Sequence, residues 1–471
     1  MKEKLKQLFA PVDMTKGKPW KKIVAFTIPL IIGNIAQQLY NTVDSIVVGK
    51  YVGDNALAAV GSAGPILNLL LVLFIGISVG SGIMVSQYFG ARDREELSWS
   101  VGSCVTLTAL ASLIVMLLAP LVIRPLLELL NTPDSIIEWC NSYLRILFIG
   151  IAGMAYYNIL SGILRGLGDS VSALLYLLVA TVLNIVLDIW LVAGLHMGVS
   201  GVALATAIAQ AVSALLCLWK LSRMKDVFDL KMHYLKMRKK YTVNMIRLGL
   251  PSGLTQAIFS MAMIVVQSLT NSFGELFIAA NVIVMRVDGF AMMPNFSFGN
   301  TMTTYAGQNV GARDYERVQK GARQGTWIAV GTAAVITALI LLFGKNLMGI
   351  FTDTSSLVEL SMRMMCILAP GYIAMAVTQS LSGVMRGAGD TMTPMWISVI
   401  TTVFIRIPVA YGISWMTKTE QLPHGRQECV FVSLLMSWVL GAVITVIFYK
   451  RGKWQEKALI KERKQDRTTF K

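Results

Sequence analysis

The sequence predicts an all-α polytopic membrane protein with twelve transmembrane helices, arranged as two parallel six-helix repeats around a central cleft. Three observations carry that prediction. The 471 residues are 55% hydrophobic and only 14% charged, whereas soluble domains carry about 25% charged residues. Windows long enough to cross a bilayer, about 20 mostly apolar residues, recur along the chain, as at 101–123, 171–194 and 325–343. Two short motifs also recur at one fixed offset, the mark of an internal duplication.

The predicted spans in the first half are 23–48, 57–86, 100–123, 139–163, 171–194 and 199–221; in the second they are 245–271, 276–303, 323–344, 361–384, 393–416 and 428–449. The first follows a Lys-rich segment, 1–22. It is too long for the apolar core of a cleavable signal and has no small-residue cleavage site behind it. Spans one, two, seven and eight hold many polar residues, the composition of helices that line a cavity. A basic linker, 222–244, joins the halves, and a basic tail, 450–471, follows the last span. Lys and Arg crowd these segments, while the loops on the other side hold only Lys50, Arg124, Lys345, Lys418 and Arg426. The asymmetry puts both termini in the cytoplasm, which requires an even number of spans.

The repeat is explicit. Gly90-Ala91-Arg92-Asp93 returns as Gly311-Ala312-Arg313-Asp314, and Arg165-Gly166-Leu167-Gly168-Asp169 returns as Arg386-Gly387-Ala388-Gly389-Asp390, both offset by 221 residues. Ile28-Pro29-Leu30 answers Leu250-Pro251-Ser252 at an offset of 222. Six helices per half make the repeats parallel, related by an axis along the membrane normal. The motifs fall at turns after the second and eighth, and the fourth and tenth, spans. Glycine permits the tight turn there, and Arg and Asp are expected to tie neighbouring loops rather than to touch substrate.

Several function classes are excluded. The net charge of +16 sits in inter-helix segments, not on a soluble face that nucleic acid would need. No phosphate-binding G-x-x-x-x-G-K-[ST] is present, so the chain is not expected to hydrolyse ATP. The five cysteines show no C-x-x-C pair, and His196, His233 and His424 fall in connecting segments. No enzyme activity, cofactor or metal centre is expected.

Polar groups at membrane depth are functional candidates by default. Asn34, Gln37, Tyr40, Asn41 and Asp44 recur every three or four residues on one face of the first helix. Asn184 and Asp188 lie one turn apart in the fifth, with Asn158 in the fourth and Thr206 and Gln210 in the sixth. Together they predict a polar pocket with two carboxylates in the first half. Burial favours a carboxyl group's neutral form, which suits H⁺ exchange, but the same oxygens suit Na⁺; residue types leave the two ions open. A capping or crosslinking role for Asp44 or Asp188 is the plainer alternative. Pro29, fifteen residues before Asp44, is a candidate hinge or a static kink. The second half has Val265-Val266-Gln267 where Asp44 would align, and instead offers Arg286, Asp288 and Arg406. Residues two apart do not share a helix face, so Asp288 is expected to pair with Arg406 across helices. The 26 methionines, Met261, Met263 and Met285 among them, suit ordinary packing or an adaptable apolar cavity.

Tyr40-Asn41-x-x-Asp44, Ala56-Leu57-Ala58-Ala59-Val60-Gly61, Gln87 to Asp93, Arg165 to Asp169, Asn184-x-x-x-Asp188 and Gly307-Gln308 to Asp314 together resemble the multidrug and toxin extrusion (MATE) transporters over nearly the whole chain. The resemblance is to the DinF-like branch: the other bacterial branch has acidic residues in its seventh and tenth helices, and here Gln256 and Gln379 stand in those helices. It implies a secondary active antiporter of the bacterial plasma membrane. Such a protein exports cationic or amphipathic compounds in exchange for H⁺ or Na⁺, with H⁺ favoured here, and needs no cofactor. It also implies that Asp44 and Asp188, with Gln37, Asn158, Asn184 and Thr206, form the cation and substrate site, and that the first helix bends at Pro29. Asp44, Asn184, Asp188 and Thr206 are the cation candidates. Gln37, Tyr40, Asn158, Gln210, Gln256, Arg286 and Asp288 are the substrate candidates. The expected partners are small molecules and membrane lipids, with the chain a monomer. A flippase of lipid-linked or other endogenous amphiphiles is the alternative. It would place several basic residues inside the cavity, where the sequence offers mainly Arg286 and Arg406.

Overall fold

The computed structural model describes residues 12–129 and 132–460. Lys2, Lys4 and Lys6 of the N-terminal segment and Lys461, Arg463, Lys464, Arg467 and Lys471 of the tail lie outside them. The first half contains α1 (Pro19–Tyr51), α2 (Asp54–Gly90), α3 (Arg94–Leu129), α4 (Asp134–Ile149 and Ile151–Gly166), α5 (Ser170–Asp188 with Ile189–Gly194) and α6 (Gly198–Ser222). The second contains α7 (Lys239–Asn271), α8 (Glu275–Gly311), α9 (Tyr315–Gly349) and α10 (Ser355–Leu368 and Gly371–Gly387). It ends with α11 (Met392–Val399, Ile400–Arg406 and Ile407–Met416) and α12 (Cys429–Lys450). Ten of these are apolar and long enough to span a bilayer unaided; α4 and α10 reach that length as bent pairs. The molecule is a multi-pass membrane protein.

The predicted spans sit inside these helices, but four are not the simple rods expected. α4 bends by 54° at Gly150 and α10 by 45° at Ala369-Pro370. α5 ends in a π-helical turn, Ile189–Gly194, and α11 is interrupted by another, Ile400–Arg406. Such turns are rare and cluster at functional sites. Each here adjoins a buried charged residue, Asp188 in α5 and Arg406 in α11.

Two apolar cores divide the chain. One gathers Phe74, Phe148, Leu160 and Ile163 of the first half; the other gathers Phe277, Tyr305, Tyr372 and Phe431 of the second. α1 belongs to both. Its Ile23 and Phe26 join the second core, whereas Val47 and Val48 join the first. Thr27 Oγ1 meets Thr301 Oγ1 at 2.8 Å, and Asn34 Nδ2 donates to Ser297 Oγ at 2.9 Å. Pro29 falls within this attached stretch of an unbroken helix.

The halves meet at the end that carries the basic linker. A Cβ at Gly80 would collide with the Met245 carbonyl, and one at Gly249 with the Gly76 carbonyl. Gly90 and Gly311 likewise abut the backbones of Gln308 and Gln87. Away from that end, Gly61, Gly64 and Gly289 face open space.

The repeated motifs build this closure symmetrically. Gln87 Nε2 donates to Gly387 O at 2.8 Å, and Gln308 Nε2 to Gly166 O at 3.0 Å. Each glutamine also accepts a backbone N–H at 2.9 Å, Leu459 to Gln87 Oε1 and Met14 to Gln308 Oε1. Arg92 and Arg313 adopt matching positive φ, 56° and 61°. The acids cap the next helix: Asp93 accepts from Glu96 N, Asp314 from Arg317 N, Asp169 from Ser172 N and Asp390 from Thr393 N, satisfying otherwise orphaned donors. The expectation that Arg165 and Arg386 tie loops does not hold. Both line a cavity between the halves, because each stands in the last turn of a helix packed along the cleft.

Candidate functional site

α1 and α5 lie side by side: a Cβ at Gly33 of α1 would touch Leu174 and Leu177. Four-residue spacing sets Tyr40 and Asp44 on one face of α1, and Asn184 and Asp188 on one face of α5. The two faces meet. With its amide nitrogen turned toward the carboxyl groups, Asn184 donates to Asp44 Oδ1 at 2.8 Å and to Asp188 Oδ2 at 3.1 Å. The one amide thus bridges the carboxyl groups of Asp44 and Asp188, which makes the two aspartates near neighbours. Tyr40 Oη donates to Thr206 Oγ1 at 3.1 Å, tying α6 to the cluster.

The pocket is mostly buried, with Asp44 at its partly exposed side, and keeps acceptor capacity in reserve. Asn184 and Asp188 are fully buried, Tyr40, Thr206 and Gln210 nearly so. Asp188 Oδ1 and Gln210 Oε1 are buried without a hydrogen-bond partner. Neither aspartate takes part in an ion pair among the described residues. Two close carboxyl groups with no basic partner repel one another unless one takes up a proton or a cation binds between them. Tyr143 of α4 is buried within electrostatic reach of both aspartates. The sequence offered no signal for it beyond an aromatic in an apolar run.

Other predicted residues go elsewhere. The Asn158 amide turns back on its own helix, donating to Met154 O at 2.8 Å. Gln37 is half-buried. Gln256 lines the cavity between the halves, among hydroxyl-bearing residues of α8.

Asp288 and Arg406 are both buried but form no ion pair among the described residues. Asp288 Oδ1 is buried without a hydrogen-bond partner, and the two terminal nitrogens of Arg406 each sit 3.5 Å from Met263 Sδ. The expected pairing fails because Arg406 reaches into a cavity of about 390 Å³ shared with Gln38, Met263, Met285 and Arg286, and Asp288 does not line it. Arg286 and Asp288, two residues apart, project to different faces of α8, as their spacing requires.

This chain resembles known proteins along its whole length. The MatE family model matches residues 29–190 and 251–412, one segment in each half. The probable multidrug resistance protein YoeA of Bacillus subtilis (strain 168) is 31% identical over 90% of this chain and 94% of its own. DNA damage-inducible protein F of Escherichia coli (strain K12) is 25% identical over 73% of this chain and 75% of its own. A crystal structure of MATE in the straight conformation superposes with a TM-score of 0.86 at 25% identity, covering 95% of this chain and 99% of that one. The chain belongs to the MATE family of multidrug efflux transporters.

Proposed function

We propose that this transporter is a secondary active antiporter that exports cationic or amphipathic small molecules in exchange for H⁺, with Na⁺ the alternative ion. The reading rests on one observation: the Asp44–Asn184–Asp188 cluster, with Asn184 and Asp188 fully buried and Asp44 partly so, has no basic partner. Uncompensated carboxylates at membrane depth are costly, and a cation relieves that cost. Drug cation and coupling ion then compete for one negative pocket, which is the condition for exchange. Burial and a neighbouring carboxyl group both favour the protonated form of a carboxyl group, which favours H⁺. Among the described residues no cluster of three or more His, Cys, Asp or Glu side chains occurs, so Na⁺ would depend on hydroxyl and amide oxygens such as those of Thr206 and Gln210.

The working bodies are an N-lobe, 23–221, and a C-lobe, 245–449, joined by the linker 222–244. The protein sits as a monomer in the lipid of a bacterial plasma membrane, with both ends of the chain cytoplasmic. In that orientation the closed basic end faces inward and the splayed end faces out. Protonation at Asp44 and Asp188 weakens the hold on a drug cation, Pro29 lets α1 adjust, and the lobes rock to release the ion inside. Each ligand drives the cycle only through its different affinity for the two conformers.

Proteoliposomes loaded with a fluorescent cationic dye test the reading. Dye efflux is expected with an imposed pH gradient and not with a Na⁺ gradient alone. Efflux driven only by Na⁺ would change the ion; no efflux under either gradient would reject antiport of such cations.

A further inference from the structure

A cavity of about 280 Å³ lies between the two halves, beside the closure at the basic end. Arg165 and Arg386 line it, with Gln256, Gln379, Asn300 and Thr303, and no Asp or Glu does. The two arginines are repeat equivalents, 221 residues apart, each in the last turn of its helix. Neither takes part in an ion pair among the described residues. Arg165 Nη1 donates to Ser161 Oγ at 3.2 Å. Arg386 Nη2 lies beside Gly299, where a Cβ would come within 3.4 Å of it.

The acids of the same motifs are occupied. Asp169 accepts from Ser172 N and Oγ and faces Lys220 at 3.5 Å. Asp390 accepts from Thr393 N and Oγ. A guanidinium stays charged at any physiological pH and carries five donors in a planar fork that fits oxyanions. Two such groups lining one cavity, with no counter-charge in its wall, supply both the charge and the hydrogen-bonding capacity that an oxyanion needs.

We propose that this cavity binds an oxyanion of the phosphate class between Arg165 and Arg386. Sites for drug-sized ligands run from about 300 to 1,000 Å³, so this cavity suits a small anion or the charged head of an amphiphile. Held by one arginine from each half, the anion reinforces the Gln87 and Gln308 crosslinks and favours the conformer closed at the basic end. The site is separate from the carboxylate pocket, and the proposal stands or falls independently of dye export.

Calorimetry on the full chain in phosphatidylcholine nanodiscs tests it. One arm uses inorganic phosphate and pyrophosphate; the other uses dioctanoyl phosphatidic acid. Saturable one-to-one binding of at least one probe is expected. Arg165→Gln and Arg386→Gln should each weaken it by about tenfold or more, the loss of one charge-assisted contact, and the double variant should abolish it. Arg323→Gln, on an exposed face, should change nothing. Binding of the inorganic probes alone identifies a free anion, and binding of the lipid identifies a headgroup. Should the variants misfold, phenylglyoxal labelling of the wild type gives a second reading: the bound probe should protect Arg165 and Arg386. No saturable binding of any probe, binding unaltered in a well-folded double variant, or no protection would overturn the proposal.

Discussion

Asp44→Asn is expected to abolish gradient-driven export while leaving the fold intact. The substitution keeps the shape of the side chain and its place beside Asn184, but removes the charge for which drug cation and coupling ion compete. A hydrogen bond to a charged group contributes about 1.5–3 kcal/mol. Cation affinity should therefore fall about 10- to 100-fold, since each 1.4 kcal/mol is a factor of ten. Thermal stability should not fall, because no basic group loses its partner. Efflux from proteoliposomes, with melting temperature measured alongside, checks both halves of the statement. Normal gradient-dependent export by a well-folded Asp44→Asn protein would remove the pocket from the mechanism.

The double substitution Gln87→Ala, Gln308→Ala is expected to open the basic end. Each glutamine bridges the halves to a glycine carbonyl and holds a terminal segment by its backbone N–H. Leaving a buried partner unpaired costs about 1–3 kcal/mol. Losing both bridges should therefore shift the conformer equilibrium by about 2–6 kcal/mol toward states open at that end. Spin labels at Glu95→Cys and Glu316→Cys, exposed repeat equivalents beside the closure, report it in a Cys366→Ser background. The distance distribution should gain a longer component in the double variant; an unchanged distribution would mean that the glutamines do not hold the closure.

The twelve spans and the duplication were legible because both are matters of composition and exact recurrence. The carboxylate cluster was legible for a related reason: polar residues spaced by three or four in an apolar helix must share a face, and such faces seek one another out of lipid. What the sequence hid depends on tertiary contact. The bends at Gly150 and Ala369-Pro370 and the π turns beside Asp188 and Arg406 have no counterpart in hydropathy. Asn158 carries the right chemistry, yet its amide turns back on its own helix. Asp288 and Arg406 have the charges for a pair, but Arg406 reaches into a methionine-lined cavity instead. Arg165 and Arg386 read as turn residues because glycines follow them; only packing shows that they end helices lining the cleft. The same packing gives Gln87 and Gln308, ordinary polar residues in sequence, their role at the crossing of the two repeats.

Drug cation and coupling ion are proposed to exchange at Asp44 and Asp188. The most direct test of that exchange is proton release from the purified transporter, in weakly buffered solution near neutral pH, on addition of tetraphenylphosphonium. About one proton should be released per cation bound by the wild type, and none by Asp44→Asn. Tight binding by the wild type with neither H⁺ nor Na⁺ displaced would contradict the exchange.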